Sequence, residues 1–325
     1  MRKIFIAMLL ILQLTACNQV TKSAQKVDKI VNVPSFLADS AYKFVQQQVD
    51  FGARVPNTKA QIACANYLSS TLKRFGADVI EQEANLMAFN GTSLKSINII
   101  GTINPKAETR VLLCSHWDSR PWADHDTNPT NHKKPVMGAN DGASGVGILL
   151  EMARQFHIQQ PNIGVDIIFF DAEDFGATEE FRGENTEDSW CLGTQYWAKN
   201  PHIAGYHARF GILLDMVGGA QATFYREQIS EYYATDVVSK VWSQAKSLGF
   251  GQYFIDQKGG AVTDDHVYVN KIAGIPSIDI IQFDPNSGSG FASYWHTVDD
   301  VMKNVDKNTL QAVGTTLMHV VYNEK

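Results

Sequence analysis

The chain has 325 residues, 44% of them hydrophobic, and its 28 Lys and Arg against 34 Asp and Glu leave a net charge of -6. Nothing in that balance provides the basic footprint that nucleic acid requires, so nucleic acid is excluded as a partner. The length supports one large hydrophobic core.

Met1, Arg2 and Lys3 precede an apolar run from Ile4 to Leu14 and then Thr15, Ala16 and Cys17. This charged, apolar and small-residue order predicts an export signal over 1–16, and the run is too short to span a bilayer. Leu14, Thr15, Ala16 and Cys17 also resemble a bacterial lipobox. That resemblance implies cleavage before Cys17, a lipid on its sulfur, and an exported, membrane-anchored lipoprotein on the periplasmic side or cell surface. Residues 17–34 are polar and weakly patterned, as a tether is. The remaining cysteines, Cys64, Cys114 and Cys191, are odd in number and lack the close spacing of a cysteine zinc site.

Residues 35–325 read as a single catalytic α/β domain. Ser35 is the expected N-cap of a helix running to Val49, and a second helix is expected from Thr58 to Phe75. Apolar runs at 97–103, 110–115, 165–171, 210–215 and 277–283 predict buried strands, with helices between several of them at 145–156, 193–199 and 229–248. A last helix is expected from Asn308 to Tyr322, capped by Asp306. The alternation predicts a mostly parallel, mixed central sheet with helices on both faces.

Several strands stop at polar residues: His116 and Asp118, then Asp171, Glu173 and Asp174, then Asp215. In an open α/β sheet the ligand crevice lies at the carboxyl ends of the strands, so these side chains are expected to converge. Singly, each would read as a solvated loop residue or a cap. Asp141 sits in a Gly- and Ala-rich turn opening a helix, and His296 lies in a late loop before the final helix. His116, Asp141, Asp174, Asp215 and His296 form an imidazole and carboxylate set of the kind zinc accepts, with Glu173 adjacent and free to act as a base. His125, His132, His157, His202, His207 and His319 are read as ordinary loop, surface or helix residues.

The order of these motifs, with Asp50 to Thr58 ahead of them, resembles the co-catalytic zinc aminopeptidases over nearly the whole mature chain. Further stretches are similar to the glutaminyl cyclases of that clan: Asp188 to Ala198, Gly259 to His266, the Trp295-His296 pair, and Phe291 four residues before Trp295. Phe291 and Trp295 as core aromatics, and Asp264 as a helix cap, are the plain alternatives. The resemblance implies an aminopeptidase-like fold and conversion of N-terminal glutamine of peptides or proteins to pyroglutamate. It implies one Zn2+ on Asp141, Asp174 and His296, Glu173 as proton shuttle, and Asp215 and Asp264 orienting Glu173 or the leaving amide. Trp295 and Phe291 would wall the substrate pocket.

The chain departs from animal cyclases at Gly142, where they carry serine, and at Asp279, where they carry histidine. A di-zinc aminopeptidase, with His116 and Asp215 completing a second metal site, and a non-catalytic binding domain are the competing readings.

Overall fold

The computed structural model describes residues 31–183, 186 and 188–325; the signal segment, Cys17 and most of the tether lie outside the described residues. Residues 32–325 form one compact unit. None of its helices is long and apolar enough to cross a membrane.

Helix α1 (Ala38–Val49) starts later than a Ser35 cap would place it. Its first N–H groups are met from outside, Leu37 donating to Glu151 (3.2 Å) and Ala38 to Gln311 (3.3 Å), so tertiary packing has replaced the local cap. Helix α2 (Lys59–Arg74) is capped as expected, the Thr58 hydroxyl accepting from the N–H of Gln61 at 3.2 Å.

Strand β1 (Asp78–Met87) pairs antiparallel with β2 (Ser93–Ile103), placing Asp78 opposite Thr102 and Met87 opposite Ser93. Sequence reading missed β1 because it is an edge strand with no fully buried residue and therefore no apolar run. The rest follow as β3 (Arg110–His116), α3 (Ala143–Ile158), β4 (Gly164–Phe170), α4 (Leu192–Lys199), β5 (Gly211–Asp215), β6 (Phe224–Arg226), α5 (Gln228–Ser247), β7 (Phe254–Lys258), α6 (Asp265–Tyr268), β8 (Ser277–Ile281) and α7 (Lys307–Asn323). The short β6 and β7 form a separate parallel pair that the sequence did not disclose.

The main sheet runs in the order β1-β2-β4-β3-β5-β8. β2 is antiparallel to both of its neighbours, and β4, β3, β5 and β8 are mutually parallel. Alternate strand residues serve opposite faces. Ile100, Leu112, Cys114, Ile168, Phe170 and Leu213 pack with Trp197 of α4 and with Val269 and Ile275. The other face is covered by α2 and α3, and α1 and α7 pack on α3. Every residue of β4 and β5 is buried, which explains why those strands were legible as unbroken apolar runs.

The chain passes from β3 to β4 on one side and then to β5 on the other, so the carboxyl ends of these strands open on the crevice where such folds bind ligands.

Candidate active site and metal centre

Each functional side chain is delivered by the end of a strand or the turn after it. His116 ends β3, Asp215 ends β5, and Glu173 and Asp174 follow β4 through Ala172, which sits at φ 53°. Asp118 secures that turn, its carboxylate accepting the N–H groups of Glu173 (3.1 Å) and Asp174 (3.2 Å). Asp141 precedes α3, and Asp300 accepts the N–H groups of Asn140 (2.8 Å) and Asp141 (3.1 Å). Met216, Cys191 and His296 also have positive φ, at 48°, 57° and 53°. Left-handed backbone at non-glycine residues costs about 1–3 kcal/mol each and tends to persist where the surrounding structure enforces a functional geometry.

Two ligand groups share Asp141. In the first, His296 Nε2 stands 3.1 Å from Asp174 Oδ1 and 3.5 Å from Asp141 Oδ2. In the second, His116 Nε2 stands 2.9 Å from Asp141 Oδ1 and is hydrogen-bonded to Asp215 Oδ1 at 3.1 Å. Within each group the ligand atoms lie within 4.8 Å of one another, and all five residues are buried. The groups differ at the atoms that face one another: Asp174 Oδ1 is buried without a hydrogen-bond partner, whereas His116 Nε2 is closed on Asp215 and Asp141; the far ring nitrogens, His116 Nδ1 and His296 Nδ1, lack such a partner in both. An orphaned buried carboxylate oxygen facing an imidazole and a second carboxylate fits a divalent cation.

Burial is the largest influence on these acids. It pushes Glu173 well above the usual carboxylate range; nearby His116 opposes the rise, and Asp264 and Asp174 add to it. Burial and then the charge of Asp141 push Asp215 up to about 7. For Asp141 burial works in the same direction, but the His116 and His296 rings outweigh it and hold the carboxyl below its ordinary range.

Glu173 stands beside both groups, with His116 Nδ1 3.9 Å from its Oε2. The buried thiol of Cys191 donates to its Oε1 at 3.3 Å, and Asp264 offers a carboxylate oxygen to the same cluster. Asp264 also caps α6, accepting the N–H of Asp265 at 2.5 Å, while its Oδ2 has no partner. Asp215 bonds to His116 at 3.1 Å and, of the two roles expected of it, orienting Glu173 or the leaving amide, makes no hydrogen bond of the first kind. Asp279, on β8, is buried beside Asp264, and both of its oxygens lack a hydrogen-bond partner. Asp171 belongs to the frame: its carboxylate accepts from Gln61 (2.7 Å) and from the N–H groups of Ile97 and Ala172 (both 2.8 Å).

The pocket above this floor has a volume of about 300 Å³. Phe291 and Trp295 line it, as do Trp190, Ile281 and Phe283. Trp295 stacks on His296 at 3.9 Å between ring centroids. Sequence reading missed three contributors. Trp190 and Cys191 lie within the Asp188 to Ala198 segment singled out above, where neither was given a role of its own; His125, read as an ordinary loop residue, packs its ring 4.3 Å from that of Trp295. Cys64, Cys114 and Cys191 are all free and buried.

Gly142 has a steric explanation. A Cβ there would lie 2.5 Å from both Nε2 and the carbonyl oxygen of His116, so the position cannot carry serine while His116 occupies this place.

Residues 98–321 match peptidase family M28. A zinc-dependent exopeptidase from Parabacteroides distasonis is 58% identical, with a TM-score of 0.89 over 90% of this chain and 100% of that one. The glutaminyl cyclase of Bacteroides thetaiotaomicron, solved with N-acetylhistamine bound, is 55% identical, with the same TM-score and coverage. The glutaminyl cyclase of Tannerella forsythia is 57% identical, with a TM-score of 0.88 over 90% of this chain and 100% of that one. The chain therefore belongs to peptidase family M28 and groups there with the bacterial glutaminyl cyclases.

Proposed function

We propose that this enzyme converts the N-terminal glutamine of peptides and proteins into pyroglutamate with release of ammonia, using one zinc ion held by Asp141, Asp174 and His296. The observation that carries this reading is the asymmetry between the two ligand groups. His116 Nε2 is closed on Asp215 and Asp141, while Asp174 Oδ1, buried without a hydrogen-bond partner, faces His296 in a group that lines the aromatic-walled pocket together with Glu173. Zinc bound there would supply Lewis-acid polarisation of the γ-amide carbonyl.

The remaining chemistry belongs to side chains. Glutamine folded within the walls of Phe291, Trp295 and Trp190 brings its α-amine against its own amide carbon, which supplies the proximity term. The amine, with a pKa of about 7.7–8.0, gives its proton to Glu173 as the C–N bond forms. Glu173, whose hold on a proton burial strengthens, returns it to the amide nitrogen, which leaves as ammonia. The Cys191 thiol holds the base, Asp264 beside it favours its protonated form, and Asp215 holds His116.

The lipobox-like segment supports export and anchoring through Cys17, with 1–16 as signal, 17–34 as tether and 35–325 as the catalytic domain. The second reading is a di-zinc aminopeptidase, favoured by the position of Asp141 between both groups. Mass analysis of a Gln-initiated peptide after incubation separates the two. A cyclase yields one product, with ammonia lost and every peptide bond intact. Free leucine released from a Leu-initiated peptide at a rate matching or exceeding Gln turnover would overturn the proposal.

A further inference from the structure

Arg120 follows β3 in the loop that leads to α3; its side chain is 1% exposed, and it is not part of the pocket lining. Its Nε and Nη2 donate to the two oxygens of Asp124 at 2.7 and 2.6 Å, a bidentate fork. Its Nη1 points toward the metal group, donating to the carbonyl of Asp174 at 3.0 Å and standing 3.6 Å from Asp174 Oδ1. The guanidinium also lies 4.6 Å from the ring centroid of Trp190, whose indole is stacked parallel to His296.

Asp124, fixed in that fork, places Oδ1 3.9 Å from Nδ1 of His296, the ring nitrogen that faces away from Asp141 and Asp174 and has no hydrogen-bond partner. The backbone reinforces the same junction. His125 donates its N–H to the carbonyl of His296 at 3.2 Å, and Asp126 accepts the N–H of Val298 at 3.2 Å. His296 needs such support, because its φ of 53° is one that a β-carbon disfavours.

We infer that Arg120 and Asp124 act together as positioning residues for the metal centre: Arg120 sets Asp174 directly and, through Asp124, fixes the rotation of the His296 ring. This rests on the proposal that Asp141, Asp174 and His296 hold the ion. A histidine ligand is oriented by what its far nitrogen faces, and losing such an outer partner typically lowers metal affinity about 10–100-fold. Lysine at position 120 would keep the charge but lose the fork, so charge and geometry are separable.

Asp124→Asn and Arg120→Lys would be purified, stripped of metal and titrated with zinc against a chromophoric chelator, alongside wild type and His296→Ala. Melting of each metal-free protein and kcat and KM at saturating zinc would complete the set. The expected result is a zinc dissociation constant raised about 10–100-fold in both positioning variants, metal-free melting of Asp124→Asn close to wild type, and kcat of that variant recovering as zinc is raised. Should Arg120→Lys fail to fold, Asp124→Asn carries the test alone. Unchanged zinc affinity in Asp124→Asn, with or without a lower melting temperature, overturns the inference. If affinity is also unchanged in His296→Ala, the ligand assignment itself has failed; if affinity falls only in His296→Ala, only the positioning role has.

Discussion

In the proposed reaction Glu173 is the residue on which the chemistry turns. Replacing it with glutamine keeps the shape and removes the acceptor, so Glu173→Gln is expected to retain zinc by metal analysis while kcat falls about 10²- to 10⁴-fold. Near-normal turnover would remove the base assignment. The place of this acid was legible because strand ends converge in such folds, and Glu173 does lie after β4 in the pocket lining. Its support was not: Cys191 lies eighteen residues onward and touches Oε1 only through the turn that brings α4 beneath β4. Likewise the loop carrying Arg120, Asp124 and His125 reaches His296 across more than half the chain, a contact no local pattern announces.

At the scale of elements, buried strands and amphipathic helices were legible wherever periodicity and burial coincide, as in β3, β4, β5 and α2. They were illegible where the partner supplies the reason for the structure: β1 exists because β2 offers it hydrogen bonds, and α1 begins where Glu151 and Gln311 can cap it. One internal tie holds the strand that delivers Glu173. Asp166 of β4, fully buried, receives two bonds from Arg110 of β3 at 2.7 and 2.8 Å, one from Thr102 of β2 at 2.8 Å and one from Tyr206 at 3.0 Å. Removing one member of such a pair leaves the other charge buried and uncompensated. Asp166→Ala is therefore expected to cost about 3–5 kcal/mol, read as a lower midpoint in denaturant with an unchanged slope. A loss below about 1 kcal/mol would mean that Arg110 finds water.

For the molecule as a whole, the family points to zinc, and the one-ion proposal fixes its stoichiometry. Active protein is expected to hold one equivalent by metal analysis, and chelation is expected to abolish turnover and lower the melting temperature. Two tightly held equivalents would favour the peptidase reading. Anchoring is a separate matter: Cys17→Ser is expected to end lipid labelling and release the protein from membranes, and continued lipid incorporation would refute the lipobox. The proposed ligands stand at 141, 174 and 296, the last in the loop ahead of the final helix. A chain emerging from its N-terminus therefore presents two carboxylates long before the imidazole that completes their set. Metal capture must come near the end of synthesis and folding, and a product truncated anywhere ahead of residue 296 would lack the centre however well its sheet formed.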